Sequence, residues 1–182
     1  MEIGETKSFG EGSTRAKVML VGEQPGDQED ELGHPFVGPA GRLLNEILTQ
    51  IGLAREDIYV TNVVKHFKWE PRGKRRIHKK PRYSEIVARR PWLDWEIKLV
   101  KPKAVVCLGA TAARALLGPK FRVTQQRGEW IKSPLADYVM ATVHPSSILR
   151  APDHEGRRAE TQRFIQDLSS VVAVLANPRD RT

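Results

Sequence analysis

Two carboxylates and an amide follow a short apolar run near the start of the chain. Glu23, Gln24 and Asp27 come directly after residues 17–21, whose apolar and β-branched side chains predict a buried strand. Glycine and proline around them force a turn. In open parallel sheets, ligands bind at the carboxyl ends of the strands, so these three side chains predict a functional site. The alternative is that Asp27 caps a short helix and Glu23 is only solvated.

Three further predicted strands end in polar or flexible residues. They cover residues 58–62, 104–108 and 138–143. Asn62 ends the first, Gly109 follows the second and His144 follows the third. Parallel strands bring their carboxyl ends to one rim, so we expect all of these residues to lie close to Glu23.

The chemistry of this rim fits a flat, amide-bearing ligand. Asn62 offers one acceptor and two donors on a planar amide, and Phe36 can stack on a base. His144 can donate to a carbonyl oxygen, while Glu23 and Asp27 can position water or stabilise a cation. Together these residues favour a site for a base taken out of a DNA strand. Taken singly, Phe36 is as readily a core anchor and His144 a loop histidine.

Helical patterns separate the predicted strands. They cover residues 41–51, 84–100, 112–117 and 164–175. Pro91 is expected to kink or restart the second helix, residues 27–41 to form a loop, and 121–131 to form an excursion or hairpin. Alternating strands and helices predict an α/β fold, a three-layer α/β/α sandwich with a central four-stranded parallel sheet. We expect one domain over residues 1–182, with 1–15 loosely held.

Composition narrows the function classes. The chain has 182 residues, of which 40% are hydrophobic. No apolar run is long enough to span a bilayer and the N-terminus has no apolar signal core, so we expect no membrane partner and a cytoplasmic, monomeric protein. The lone cysteine, Cys107, excludes an intramolecular disulfide and fits a small buried thiol.

Positive charge is concentrated between residues 65 and 90. The whole chain carries 30 Lys and Arg against 22 Asp and Glu, a net charge of +8. Such a balance favours a polyanionic partner over solubility alone, and the clustering favours a phosphate-facing surface. The predicted DNA contacts are Lys65, His66, Lys74, Arg75, Arg76, Ser146 and Ser147.

Five segments of the chain resemble the motifs of the uracil-DNA glycosylase superfamily, family-four branch. They are Gly22–Asp27, Pro35–Gly41, Val60–Asn62, Leu108–Ala112 and His144–Ser147. Lys65–Lys68 and Lys74–His78 more narrowly resemble UdgX, a subgroup whose basic loop supplies a histidine that bonds covalently to DNA. The resemblance runs from Ala16 to the last helix.

The resemblance implies a role for each candidate side chain in excising uracil from DNA. It places Gly22, Phe36 and Asn62 at the uracil, where Phe36 stacks and Asn62 reads the amide edge. It makes His144 the group that stabilises charge on the uracil carbonyl oxygen.

The catalytic roles follow in the same way. Glu23 stabilises the sugar cation or helps activate the nucleophile, and Gln24 and Asp27 shape the site. In the UdgX-like interpretation, His78 attacks C1′ and joins the protein to the abasic sugar. From residue types alone, His78 is one more residue of a phosphate-binding loop.

The cysteine content departs from the family. Family-four enzymes and UdgX hold a [4Fe–4S] cluster on four cysteines, whereas this sequence has only Cys107. Arg89 stands where the motif has a cysteine, and the segment with two further cysteines is not recognisable. We therefore expect no cluster, no metal site and no cofactor, with ion pairs or the packing of Trp92 and Trp95 holding this region.

Three other functions remain open at this point. The first is uracil excision with ordinary turnover, in which water replaces His78. The second is a non-catalytic sensor of uracil in DNA, and the third is a nucleotide-binding module whose basic loop grips free phosphates. Glu23 and Asn62 argue against the last two, because phosphate binding needs neither residue.

Overall fold

The computed structural model describes the backbone of residues 2–3 and all of residues 9–176. The strands are β1 (Glu2–Ile3), β2 (Val18–Gly22), β3 (Ile58–Asn62), β4 (Lys68–Arg72), β5 (Arg75–His78), β6 (Ala104–Leu108) and β7 (Tyr138–Thr142). The helices are α1 (Asp27–Leu32), α2 (Pro39–Gln50), α3 (Tyr83–Val100), α4 (Ala110–Leu117), α5 (Val123–Gln126), α6 (Pro145–Leu149) and α7 (His154–Leu175).

Four parallel strands form the central sheet in the order β3-β2-β6-β7. Gly22 pairs with Asn62 at the carboxyl ends of β2 and β3. Cys107 pairs with Ala141 in β6 and β7 and is fully buried. The predicted four-stranded parallel sheet is confirmed, and its register brings the candidate residues to one edge.

Helices cover both faces of this sheet. Met19 and Val21 of β2 face a core with α3, α4 and α5, whereas Val18 and Leu20 face a core with α2, α6 and α7. Alternate strand residues point to opposite faces, so a strand buried on both sides reads as one continuous apolar run. The predicted three-layer α/β/α architecture is confirmed.

The basic segment after β3 is a β-hairpin, whereas the sequence predicted an irregular loop. β4 and β5 are antiparallel, and Arg72 pairs with Arg75 across a two-residue turn. Gly73 has φ +61°, a left-handed conformation that suits the first central position of a tight hairpin turn. β1 adds a third strand through Glu2, which pairs with Trp69. The segment lacks the apolar alternation that identifies strands, which is why the prediction was wrong.

The acidic segment 27–32 forms a helix, α1, where a loop was predicted. Glu29 is buried, and its carboxylate accepts from the N–H groups of Gly26 at 3.1 Å and Gly38 at 2.8 Å. Gly26 and Gly38 are the N-cap residues of α1 and α2. The first N–H groups of a helix have no partner within it, so the Glu29 carboxylate supplies an acceptor at the amino end of both helices.

Two other local predictions can be compared with the structure. Helix α3 does not restart at Pro91 but continues through it; Pro91 is exposed, so water can reach the carbonyl left without its helical partner. The predicted excursion over residues 121–131 contains the short helix α5. Gly128 and Ile131 then donate to the carbonyls of Ala141 and Val139 in β7, at 2.9 and 2.7 Å.

The predicted loose segment 1–15 is partly attached and partly outside the described residues. Glu11 and Val60 exchange two backbone hydrogen bonds of 2.8 Å, which tie the chain to β3. Among the described helices, none has the length and apolar character that a membrane span requires.

Candidate active site

A cavity of about 910 Å³ lies at the carboxyl ends of the four parallel strands. The turn after β2, the start of α2, the end of the hairpin, the start of α4, α5 and the loop after β7 all contribute to its lining. The predicted residues that line it are Glu23, Gln24, Asp27, Phe36, Asn62, His78, His144, Ser146 and Ser147. The structure therefore brings these predicted residues together around one cavity.

Glu23 and His78 meet inside this cavity, although 54 positions separate them in the chain. Oε1 of Glu23 lies 3.3 Å from Nε2 of His78. The Glu23 side chain is 21% exposed and that of His78 is 48% exposed. A carboxylate and an imidazole are therefore paired at the cavity mouth, within reach of a molecule that enters from solvent.

The surroundings of Glu23 favour its ionised form. Burial acts to raise the pKa of Glu23, but hydrogen bonds from His78 and Thr111 and the charges of His78 and Lys80 outweigh it. The pKa of Glu23 therefore lies below its ordinary value, and the side chain carries a negative charge at neutral pH. Thr111, a buried residue of α4, is a contributor to the site that the sequence reasoning did not single out.

His144 is held as a neutral donor. It caps the amino end of α6, where the N–H of Ser146 donates to Nδ1 at 3.2 Å and the Ser146 hydroxyl lies 2.8 Å from the same atom. Because a backbone N–H only donates, Nδ1 is the acceptor and the ring proton resides on Nε2. Burial lowers the pKa of His144 to about 4, although the Glu23 carboxylate acts in the opposite direction.

Asn62 and Phe36 meet at the buried end of the cavity. Both are buried, and a Cβ at Gly22 would lie 2.3 Å from Oδ1 of Asn62 and 2.8 Å from Cζ of Phe36. Gly22 therefore allows the amide and the ring to approach the end of β2. The Phe36 ring lies 5.9 Å from the His144 ring at an interplanar angle of 30°.

Phe36 adopts an unusual backbone conformation. Its φ is +57°, which costs a non-glycine residue about 1–2 kcal/mol. A Cβ at Gly41 would lie 1.7 Å from the Phe36 carbonyl oxygen, so the start of α2 packs directly against this backbone. Such local strain persists where the surroundings enforce it and concentrates at functional sites.

Gln24 connects the turn after β2 to the base of the hairpin. Its Nε2 donates to the carbonyl of Lys68 at 3.1 Å and to that of Lys79 at 3.2 Å. Lys79 directly follows His78, so Gln24 fixes the backbone that carries the imidazole. Gln24 was predicted to shape the site, and these two hydrogen bonds show how it can help to position His78.

Arg76, which was predicted to contact DNA, forms ion pairs with carboxylates of helix α1. Its guanidinium lies 2.5 Å from Asp27 and 2.7 Å from Asp30. It also stacks over the rings of Phe67 and Trp69, at 5.4 and 5.6 Å from their centroids. A guanidinium with these partners holds the hairpin against α1, and Asp27 both pairs with Arg76 and lines the cavity.

Lys65 also has a structural role where a DNA contact was predicted. It is 3% exposed, forms an ion pair with Glu96 and donates to the backbone carbonyl of Asn62 at 2.8 Å. A side chain buried in this way cannot reach a phosphate. His66 is half-buried, and the cavity lining does not include it.

The two serines that follow Pro145 form hydrogen bonds with His144. Ser146 sets the His144 tautomer, and the Ser147 hydroxyl donates to the His144 carbonyl at 2.8 Å. Ser147 is exposed at the cavity mouth, where it remains a candidate for DNA contact.

Cations at or near the cavity mouth are of two kinds. Lys74 and Arg75 are exposed at the hairpin turn, as predicted for phosphate contacts. Lys80 and Arg150 are exposed and line the cavity itself, yet the sequence reasoning singled out neither for the site. Lys80 could have been predicted from the sequence, because it lies at the end of the basic segment next to His78. Arg150 could not, because only the fold of α6 brings it near His144.

The sequence model of the Uracil DNA glycosylase superfamily matches residues 9–169. This chain belongs to that superfamily. It is 40% identical over 150 residues to the type-4 uracil-DNA glycosylase of Thermotoga maritima, which covers 82% of this chain and 74% of that protein. It is 37% identical over 154 residues to the type-4 uracil-DNA glycosylase of Pyrobaculum aerophilum, which covers 81% and 75% of the two chains. The resemblance inferred from the motifs is confirmed at the level of the superfamily.

The residues of this uracil-DNA glycosylase superfamily member do not fit a [4Fe–4S] cluster. Such a cluster takes four thiolates, whereas the chain has one cysteine, and burial raises the pKa of Cys107 to about 12. In the described part of the chain, no three His, Cys, Asp or Glu side chains form an arrangement that could hold a metal ion.

Other contacts tie the region around Arg89 together. Glu96 is buried, and its carboxylate accepts from the N–H of Gly10 at 2.9 Å and from the hydroxyl of Thr61 at 2.8 Å. Phe9 packs edge to face on Trp92 with a centroid distance of 6.1 Å. Arg90 pairs with Asp94 at 2.6 Å, and Glu96 joins the amino-terminal segment, α3 and β3. The predicted packing of Trp92 is thus present, whereas Trp95 is exposed.

Proposed function

We propose that this protein excises uracil from DNA and captures the resulting sugar covalently through His78. The single observation that carries the proposal is the 3.3 Å approach of His78 to Glu23 inside a cavity that also holds Asn62, Phe36 and His144. The relatives named above are uracil-DNA glycosylases, which supports the excision step. The covalent step is our inference from the position of His78.

Recognition of uracil falls to the buried end of the cavity. A uracil flipped out of the strand stacks on Phe36, and the Asn62 amide reads its N–H and carbonyl edge. A site built to hydrogen-bond such an edge rejects a base that presents another pattern, because its own polar groups are then left without partners.

Bond cleavage places charge where the site has complementary groups. When the bond between C1′ and N1 of uracil breaks, both electrons leave with the base and the sugar becomes cationic. The Nε2–H of His144 is positioned to donate to the carbonyl oxygen on which the negative charge develops. Glu23, ionised because its pKa is lowered, stabilises the cationic sugar.

Capture follows when the Nε2 lone pair of His78 forms a bond to C1′. Nε2 faces Glu23 in the free protein. In the Nδ1–H tautomer of neutral His78, Nε2 carries the lone pair and no proton moves to Glu23, which keeps its negative charge beside the cationic sugar. After the bond forms, the Nδ1 proton is released, and the uracil anion gains one. The net change transfers one proton from imidazole to uracil and leaves a neutral alkylated histidine.

A labelled oligonucleotide that contains one uracil tests this proposal. After denaturing electrophoresis, covalent capture predicts a labelled band at the mass of protein plus DNA, together with an equal amount of free uracil. His78→Ser should lose the shifted band. His34→Ser is the matched control for that variant, because His34 is exposed and pairs with Glu11 away from the cavity. Uracil release without the shifted band would favour ordinary turnover, and absence of both would contradict excision.

The proposed reaction uses no cofactor. The purified protein is expected to contain no stoichiometric iron, since its thiol content cannot hold a cluster. Iron analysis and the visible absorption spectrum check this expectation, and about four irons per chain would contradict it.

A further inference from the structure

A cluster of cations lies on α4 and in the segment that joins α4 to α5. Arg114, Lys120 and Arg122 line one shallow depression together with Pro119, and all three cations are exposed. We call Arg114, Lys120 and Arg122 the α4–α5 patch. The sequence contains no acidic residue between Glu96 and Glu129, so the patch has no acidic neighbour along the chain.

The patch differs from the cations that have structural roles. Arg127 pairs with Glu160 at 2.7 Å and with Asp167 at 2.9 Å, in the same way that Arg76 pairs with α1. Among the described residues, no carboxylate lies within ion-pairing distance of Arg114, Lys120 or Arg122. Neighbouring like charges without counter-ions repel each other in the folded protein, and an anionic partner relieves that cost.

The patch is anchored in the core and adjoins the cavity along the chain. Phe121 and Val123 are buried on either side of Arg122, so the backbone that carries Arg122 is anchored in the core. Thr124, two residues further, lines the same cavity as Glu23. Val123, which directly follows Arg122, lines this cavity as well, so Arg122 is one residue from the cavity lining.

We propose that the α4–α5 patch binds backbone phosphates of the DNA strand that flanks the target uracil. The hairpin, with Lys74 and Arg75, contacts the strand at one border of the cavity and the patch contacts it at another. This inference rests on the proposed function for the choice of DNA as the polyanion. Binding at the patch is electrostatic and independent of sequence, because phosphates are the same in every nucleotide.

The test compares Lys120→Gln/Arg122→Gln with Lys98→Gln/Lys101→Gln. The control pair removes the same charge from exposed lysines at the opposite end of the sheet, beside the start of β6. DNA binding is measured by fluorescence anisotropy over a range of salt concentrations, with single-stranded and duplex uracil oligonucleotides. We expect the patch variant to lower the slope of log K against log salt by about two and the control variant to leave it unchanged.

Excision measurements separate a contact with DNA from damage to the site. At saturating DNA, the single-turnover rate of uracil release should match the parent, while the DNA concentration for half-maximal rate should rise. A trinucleotide with central uracil lacks most of the flanking strand and should therefore react equally with both proteins. Lys120→Arg/Arg122→Lys, which keeps both charges, should retain the parent slope.

Two results would overturn the inference. The first is a patch variant with the parent salt slope, and the second is a control variant that loses as much as the patch variant. If the patch variant lowers the salt slope of DNA binding as expected but the parent releases no uracil, the proposed function is contradicted and phosphate binding at the patch is supported. If the parent excises uracil and the patch variant is unchanged, only the patch is contradicted.

Discussion

Arg76 of the hairpin and Asp30 of helix α1 lie 2.7 Å apart, and the Asp30 carboxylate is almost fully buried. This ion pair fastens β5, which ends at His78, to α1, the helix that follows the turn carrying Glu23 and Gln24. Its position explains how a strand made almost entirely of polar residues keeps a fixed place beside the cavity.

The two arginines of the hairpin should respond differently to neutralisation. Arg76→Gln removes the partner of buried Asp30, so we expect a loss of about 2 kcal/mol of unfolding free energy and slower covalent capture, because His78 loses its support. Arg75→Gln should leave stability unchanged and lower the salt slope of DNA binding by about one. Denaturant titration and salt-dependent anisotropy check both. Equal effects on the salt slope would place Arg76 on the DNA after all.

Gly22→Ala tests the buried end of the cavity. The added methyl group would lie 2.3 Å from Oδ1 of Asn62, so the amide must move away from its reading position. We expect uracil excision to fall by at least about a hundredfold, equivalent to a few kcal/mol, with only a modest change in Tm. Asn62→Ala should lose as much. Near-parental excision by Asn62→Ala would exclude Asn62 from base recognition.

The depressed pKa of His144 makes stability depend on pH. The folded protein holds this imidazole neutral down to about pH 4, whereas an unfolded histidine takes up its proton near pH 6.5. The unfolded state therefore binds more protons between these values, and stability falls as pH falls through this window by at most about 1.4 kcal/mol per unit.

His144→Gln isolates this contribution. The difference in unfolding free energy between parent and variant should shrink as pH falls from 7 to 4.5, measured by denaturant titration at each pH. A difference that stays constant over this range would show that His144 is not held neutral by burial.

The buried pair of Lys65 and Glu96 should be strongly coupled. Burial acts to lower the pKa of Lys65 and Glu96 acts to raise it, so Glu96→Gln leaves an ammonium without its carboxylate. We expect Glu96→Gln to cost about 3–5 kcal/mol and the double variant Lys65→Met/Glu96→Gln to recover part of that loss. A double-mutant cycle in denaturant measures the coupling. Additive effects would contradict a direct interaction.

Much of the site was predictable because parallel strands place their carboxyl ends together. Runs of Val, Leu and Ile located β2, β3, β6 and β7, and the polar residues after them located Glu23, Asn62 and His144. Three parallel pairings, β2 with β3, β2 with β6 and β6 with β7, bring these three residues to one edge.

The hairpin was not predictable on the same basis. Its stability comes from tertiary contacts of Arg76 and Gln24 and from the turn at Gly73, none of which produces an alternating apolar pattern. Lys65 and Arg76 looked like DNA contacts because charge is visible in a sequence, whereas the buried carboxylates Glu96 and Asp30 that bind them are far away in the chain.

The stoichiometry of uracil release by the parent and by His78→Ser tests the central claim most directly. With uracil-containing DNA in large excess, covalent capture predicts that the parent releases about one uracil per chain and then stops. His78→Ser should form no denaturation-resistant complex and should continue to release uracil, because Glu23, Asn62 and His144 remain and water can occupy the vacated space. A parent that turns over many times without an adduct, or an adduct that persists in His78→Ser, would contradict the account.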